Sequence, residues 1–100
     1  MSSSPQKISR KLTVANEAGF HLRVASMISQ AAMKYDDEIF LANGRYKADC
    51  KSCLDLLSVM APRGTILQLE VEGTHAEEIV KLFTEMFRTK FGEDEFASEN

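Results

Sequence analysis

The first third of the chain alternates between apolar and polar side chains and then changes to a helical period. From Ile8 to Val14 the alternation predicts a strand, in which Arg10 breaks the pattern and is expected at a sheet edge. The stretch Asn16-Glu17-Ala18-Gly19 interrupts this pattern. From Leu22 onward, apolar residues recur at steps of three and four, which predicts a helix of three to four turns.

A tight hairpin is expected next. The segments 38–42 and 45–50 flank Asn43-Gly44, the pair most typical of a two-residue turn in which both residues need a positive φ. These segments therefore predict the second and third strands.

The rest of the chain predicts a short helix, a strand and a long helix. Ser52-Cys53-Leu54-Asp55 has the form of a helix N-cap, and Pro62 and Gly64 end the helix that follows. Residues 65–71 alternate as a strand. Thr74-His75-Ala76-Glu77 has the form of a capping box, in which His75 is expected at the surface. The apolar positions of the last helix follow at helical steps: Ala76, Ile79, Val80, Phe83 and Phe87.

The order β-α-β-β-α-β-α predicts an α+β fold. Each helix has one apolar stripe, so we expect a four-stranded antiparallel sheet covered on one face by three helices, with the other face in water. The chain is expected to form one domain over residues 7–92, with a flexible N-terminal leader (1–6) and a solvated acidic C-terminal tail (93–100).

Composition and charge exclude several classes of protein. With 44% hydrophobic and 27% charged residues, the chain is neither disordered nor of low complexity. No apolar run approaches the roughly 20 residues of a membrane helix, and the N-terminus lacks the apolar region of a secretory signal, so a cytoplasmic protein is expected. The net charge of −3 comes from the acidic end of the chain. The sequence has no basic stripe for phosphate backbones, so nucleic-acid binding is not expected.

Few residues are arranged for catalysis. Cys50 and Cys53 have the spacing of a redox pair or of half a zinc site, but zinc needs two further ligands, and neither His21 nor His75 lies at ligand spacing. We therefore expect no metal, and a redox function remains an alternative. The chain has no serine elbow and no phosphate-binding loop, so it is not expected to be an autonomous enzyme or to hold a cofactor.

The most informative motif is Gly19-Phe20-His21-Leu22-Arg23. It places a histidine at the predicted start of the first helix, where unpaired N–H groups and the helix dipole favour an anion. A neutral imidazole can attack phosphorus, and Arg23 is close enough in sequence to stabilise the added phosphoryl group. The motif therefore predicts phosphorylation of His21.

Together with Asn43-Gly44, Lys51-Ser52, Gly64 and Glu72-Gly73, this motif resembles the HPr family of phosphocarriers of the phosphoenolpyruvate-dependent phosphotransferase system. The resemblance covers residue 7 to about residue 91 and implies an open-faced β-sandwich. It implies that His21 accepts a phosphoryl group on Nδ1 from phosphorylated enzyme I and passes it to an EIIA-type acceptor, with Arg23 stabilising the group. It implies a monomer, and it makes Ser52 the regulatory serine on which an HPr kinase/phosphorylase acts.

The sequence also departs from the family pattern. Val24 stands where the family has proline, and Gln30, Met33 and Asp55 stand in the region that is usually rich in lysine. An apolar docking patch is one interpretation of the nearby apolar residues, and burial in the core is the other: Phe20, Leu22, Met33, Leu54 and Leu57. The ending Phe91-Gly92-Glu93-Asp94-Glu95 is similar to the tails of the nitrogen-branch carriers (NPr) of the family, so the resemblance implies a role in either sugar uptake or nitrogen-branch regulation. The alternative function is a regulatory module that binds partners through the first two helices and is controlled at Ser52.

Overall fold

The computed structural model describes residues 5–93. Its strands are β1 (Gln6–Thr13), β2 (Glu38–Asn43), β3 (Tyr46–Asp49) and β4 (Ile66–Gly73), and its helices are α1 (Leu22–Ala32), α2 (Cys53–Leu57) and α3 (Ala76–Arg88), with a 3₁₀ turn at Lys90–Gly92. The strands form one antiparallel sheet in the order β1-β4-β2-β3. The predicted α+β class and element order are confirmed. The predicted leader and tail lie outside the described residues, apart from Pro5, Gln6 and Glu93.

The core lies between the helices and one face of the sheet. Alternate residues of β4, Leu67, Leu69 and Val71, point into it and are almost completely buried. Helix α3 contributes Ile79 and Phe83, which are fully buried. The other sheet face is polar: Lys47 Nζ lies 2.9 Å from Glu70 Oε1 and 4.9 Å from the centre of the Phe40 ring. Between residues 5 and 93, no helix is long and apolar enough to cross a membrane.

The hairpin turn lies one residue later than the sequence predicts. Asn43 pairs with Tyr46 in the sheet, so the two turn residues are Gly44 and Arg45. Only Gly44 has a positive φ, of 62°. A glycine alone at the first central position is typical of a type II′ turn, whereas Asn-Gly would form type I′. Asn43 instead donates a side-chain hydrogen bond to the Val59 carbonyl, 3.2 Å away, which ties the hairpin to the segment after α2.

The capping box predicted for α3 is wrong. The N-cap is His75, and no side chain of the capping motif bonds to the first turn of the helix. The Asp37 carboxylate, from the loop before β2, caps it instead: Oδ2 accepts from the His75 backbone N–H at 2.7 Å, and Oδ1 lies 3.1 Å from His75 Nδ1. The His75 ring is exposed, as predicted, and packs against Tyr35 with 5.7 Å between ring centres.

Candidate functional site

The loop between β1 and α1 fixes the position of His21. Asn16 is fully buried, and its side-chain N–H donates to the Gly19 carbonyl at 2.7 Å. Gly19 has a φ of 71°, and a Cβ there would lie 2.7 Å from the Ala61 carbonyl oxygen. The next residue, Phe20, donates its N–H to that same oxygen at 2.9 Å. The loop is thus packed so closely against the segment after α2 that only glycine fits at position 19.

His21 is the N-cap of α1, as predicted. Its backbone is extended, with a φ of −143°, and its side chain does not bond to the first turn of the helix. The backbone N–H groups of Leu22, Arg23 and Val24 have no partner among residues 5–93. Val24, unlike a proline, contributes one of these donors, while its side chain is fully buried in the core. The start of α1 therefore offers three N–H groups and the positive end of a helix dipole to an anion.

The His21 ring contacts Glu93. Nε2 lies 3.4 Å from Glu93 Oε2, and the His21 side chain is 34% exposed. An ionised carboxylate only accepts hydrogen bonds, so this contact favours the tautomer that carries its proton on Nε2. Nδ1 has no partner in the described part of the chain. The arrangement therefore leaves the Nδ1 lone pair available to a phosphorus atom.

Arg23 lies beside the same site. One guanidinium nitrogen donates to the Phe91 carbonyl at 3.0 Å, and the other donates to the Met27 sulfur at 3.2 Å. Neither partner is a carboxylate, so the charge of Arg23 is not neutralised by these contacts. The predicted pairing of His21 with Arg23 at one helix end is consistent with this geometry, although their role in binding phosphate stays a prediction.

Glu93 is the site residue that sequence reasoning missed, because its position groups it with the acidic tail. Besides the His21 contact, Oε1 accepts from the Ala18 backbone N–H at 3.2 Å. Burial acts to raise the pKa of Glu93, but the Ala18 hydrogen bond and the His21 ring together hold that pKa below its usual value. Nothing in the local sequence signals this contact, since 72 residues separate the two side chains.

The segment that places Glu93 turns sharply after α3. Lys90 and Phe91 both have a positive φ, of 57° and 54°, which is uncommon for residues other than glycine. The Phe91 ring is buried and packs edge-on against Phe87 at 5.0 Å between ring centres. This packing anchors the segment and brings both the Phe91 carbonyl and Glu93 to the start of α1.

Ser52 is the N-cap of α2, as predicted, and its Oγ accepts from the Asp55 N–H at 3.1 Å. The Asp55 carboxylate also accepts from the Asp49 N–H at 2.8 Å and from the Tyr46 hydroxyl. The Tyr46 hydrogen bond and then the Asp49 hydrogen bond lower the pKa of Asp55. Ser52 therefore lies beside an ionised carboxylate that would oppose an added phosphoryl group.

The predicted apolar patch is divided by the structure. Leu22 and Leu54 are 64% and 79% exposed, and Met33 is also exposed. Phe20 and Leu57 are instead partly buried against the core. The helices α1 and α2 pack against each other, so the exposed leucines belong to neighbouring elements.

The two cysteines differ in environment. Cys50 is buried, and burial, followed by the nearby charges of Asp49 and Asp55, raises the pKa of its thiol far above its usual value. Cys53 is half-buried in the first turn of α2. A redox pair needs a thiolate nucleophile, which these surroundings disfavour at Cys50. Within residues 5–93, no group of three or more His, Cys, Asp or Glu side chains could hold a metal ion.

Comparison with known proteins identifies the family to which these features belong. The profile described as "PTS HPr component phosphorylation site" matches residues 8–89. The chain belongs to the HPr family. A phosphocarrier protein HPr of Treponema pallidum is 32% identical over 85 residues, which cover 85% of this chain and 97% of that protein. A phosphocarrier protein NPr of Shewanella violacea is 30% identical over 87 residues, covering 87% of this chain and 96% of that one.

The fold comparison agrees. The crystal structure of HPr-C-His from Thermoanaerobacter tengcongensis matches with a TM-score of 0.81 at 27% identity, and the match covers 85% of this chain and 96% of that one. The predicted resemblance to the HPr family of phosphocarriers is thus confirmed. The HPr profile ends at residue 89 and so does not include Glu93. The evidence for the contact between Glu93 and His21 is therefore the structure and not the family profile.

Proposed function

We propose that this HPr-family chain carries a phosphoryl group on Nδ1 of His21, received from phosphorylated enzyme I and passed to an EIIA-type acceptor. The observation that supports this most directly is the His21 ring itself. It lies at the uncapped N-terminus of α1, Nε2 faces Glu93, and Nδ1 has no partner within residues 5–93.

In the transfer step, the Nδ1 lone pair forms the new bond to phosphorus. The bond from phosphorus to the donor atom breaks, and the donor atom keeps that electron pair. The ring becomes cationic as Nδ1 gives up its lone pair, and the carboxylate of Glu93 stabilises this positive charge through the Nε2 proton. The backbone N–H groups at the start of α1 and the guanidinium of Arg23 stabilise the phosphoryl oxygens.

Arg23 and Glu93 then have different roles. To bind the phosphoryl group, Arg23 exchanges its hydrogen bond to the Phe91 carbonyl for a phosphoryl oxygen. Glu93 keeps to the Nε2 side of the ring, away from the atom that carries the group. A carboxylate next to Nδ1 would repel the added negative charge. The phosphorylated state is therefore favoured when Glu93 lies at Nε2 and the phosphoryl group is on Nδ1.

The exposed leucines supply the docking surface in this proposal. Leu22 directly follows His21, and Leu54 lies on the neighbouring helix α2, so a donor or acceptor that reaches His21 also covers these side chains. Burial of two leucines that are more than half exposed favours association by about 1.5–3 kcal/mol for each side chain that becomes fully buried. Ser52 caps the same helix α2, so its phosphorylation would act on docking at this surface.

Enzyme I from the same organism, phosphoenolpyruvate and Mg²⁺ provide the test, read by intact mass and phosphorus NMR. Wild-type protein should gain one acid-labile phosphoryl group, and His21→Ala should gain none. His75→Ala is the matched control, because it removes the only other histidine of the sequence.

The proposal predicts that His75→Ala is labelled like the wild type. Labelling of His21→Ala, or an unlabelled but folded wild type in the presence of an enzyme I shown to phosphorylate itself, would refute it. In the second case the binding-module alternative becomes the better explanation, since that function needs the α1 and α2 surface but no phosphohistidine.

A further inference from the structure

The outer edge of β1 has no strand partner among residues 5–93. β1 is the first strand in the order β1-β4-β2-β3 and pairs only with β4. It is eight residues long, whereas β3 at the opposite edge has four. An edge strand of this length presents a row of backbone N–H and C=O groups that another strand can pair with.

A groove of about 520 Å³ runs beside this edge, between β1 and α3. Ile8 and Val80 supply its aliphatic surface, and Thr84 lies among them. The Thr84 hydroxyl is buried and has no hydrogen-bond partner among residues 5–93.

The charges along the edge are strongly unbalanced. β1 carries Lys7, Arg10 and Lys11 and no acid, and none of the three has an ion-pair partner in the described chain. Lys81 of α3 lines the groove and is likewise without one. Two acids also line the groove. Glu85 is neutralised by Arg88, with 3.1 Å between Oε1 and Nε, which leaves Glu77 as the one carboxylate there without an ion pair in the described structure.

These charges decide which kind of strand fits. A second copy of this chain, paired edge to edge through its own β1, would place the same cations opposite one another, which destabilises such a pair. On its groove side, an acidic strand would instead meet Arg10 and Lys81 against one unpaired carboxylate, Glu77. On the other sheet face it would meet Lys7 and Lys11, where Glu72 is the cross-strand partner of Lys7. The charges therefore oppose self-association and favour an acidic partner.

We propose that the β1 edge and the β1–α3 groove bind an acidic, extended peptide segment of a partner protein, which adds to the sheet as a fifth strand. Backbone hydrogen bonds to β1 supply affinity, and alternate side chains supply specificity. On the groove side, one small side chain packs against Ile8, while flanking acids face Arg10 and Lys81. The groove shares no residue with the His21 site, so this surface is separate from the proposed phosphocarrier function.

Selection from a library of displayed eight-residue peptides tests this proposal. The full chain is the target, and the Arg10→Glu/Lys81→Glu variant removes peptides that bind elsewhere. Enriched peptides should carry acids at alternate positions, shift the amide NMR signals of β1 and α3, and bind the double variant at least tenfold more weakly. Lys34→Glu, a charge reversal of the same kind at an exposed lysine outside the groove, should not change their affinity.

One further measurement separates strand addition from simple charge attraction. N-methylation of one alternating set of peptide amides should abolish binding, while methylation of the other set should not, because only one set faces β1.

Equal tolerance of both methylated sets would overturn the proposal. So would peptides without acids, peptides that shift only α1 and α2, or the absence of any peptide that prefers the wild type to the double variant. Phosphorylation of His21 should be unchanged in the double variant, and its amide spectrum shows whether it is folded.

Discussion

Gly19 is the residue on which the position of His21 depends most directly. Its φ of 71° disfavours any side chain, and an added Cβ would also lie within 3 Å of two backbone atoms, the Ala61 oxygen and Pro62 Cα. Backbone atoms cannot move aside as a flexible side chain can. The loop that leads into α1 would have to shift, and the His21 ring would shift with it.

We therefore predict that Gly19→Ala lowers the free energy of unfolding by about 2–4 kcal/mol and slows phosphorylation of His21. Gly44→Ala is the control, because Gly44 has a similar φ of 62° but open space where its Cβ would lie. The control should lose only about 1–2 kcal/mol, the cost of the backbone conformation, and keep the wild-type phosphorylation rate. Urea denaturation measures both losses, and equal losses would show that the close approach at Gly19 does not matter.

The residues of the candidate site differ in how far the sequence predicts them. His21 and Arg23 belong to one short motif at a helix start, so local pattern and helix electrostatics are sufficient to single them out. From the sequence, Asn16 is expected only to lie in a loop, yet it is fully buried and its side chain donates a hydrogen bond to the Gly19 carbonyl. Glu93 gives no signal at all, because its contact depends on where the whole of α3 ends relative to α1.

At the scale of elements, α3 shows how a tertiary contact replaces a local one. The motif Thr74-His75-Ala76-Glu77 has the residues of a capping box, but the Asp37 carboxylate occupies that position from another loop. Gly73 makes room for it, since a Cβ there would lie 2.2 Å from Asp37 Oδ2. The sequence pattern identifies the start of α3 correctly and the capping group wrongly, because only the folded chain brings residue 37 to this place.

Capping by Asp37 and capping by the local motif predict different effects of mutation on stability. Asp37→Ala should lower the free energy of unfolding by about 1–2 kcal/mol, because the His75 N–H loses its acceptor at the helix start. Thr74→Ala removes the hydroxyl that the capping box would use, and it should cost less than about 0.5 kcal/mol, as for an ordinary surface substitution. Thermal and urea unfolding of the two variants compare these costs. A larger loss for Thr74→Ala than for Asp37→Ala would show that the local capping box caps the helix after all.

At the scale of the whole molecule, the segment after α3 links the end of the chain's described part to its functional site. Phe91 fills the core beside Phe87, its carbonyl holds Arg23, and Glu93 contacts His21. The order of strands and helices follows from local periodicity, as the confirmed topology shows. The closure of α3 onto α1 does not, because it rests on two left-handed residues and one buried ring after the last helix.

The contact between Glu93 and the start of α1 should weaken at acidic pH. The pKa of Glu93 is lower in the folded chain than its usual value, so the ionised form is favoured by folding. Its contribution to stability is complete above the usual glutamate pKa and is lost as the pH falls through the lowered value. NMR titration of the Glu93 carboxyl should give this lowered pKa, and His21→Ala should raise it toward the usual value. A pKa of Glu93 that is the same in both proteins would show that the ring does not interact with the carboxylate.

Glu93→Gln should slow phosphorylation of His21 more than it affects the fold. The amide keeps the shape of the side chain but removes the charge that favours a proton on Nε2, so more of the ring should carry its proton on Nδ1, where it blocks attack. A loss of roughly 1–1.5 kcal/mol in the barrier corresponds to a rate reduced about 5- to 13-fold. Glu17→Gln is the matched control, since it removes an exposed carboxylate from the loop before His21. Nitrogen-15 NMR of the imidazole should show the tautomer shift in Glu93→Gln alone, and a slower rate without that shift would mean that Glu93 acts through docking of the partner.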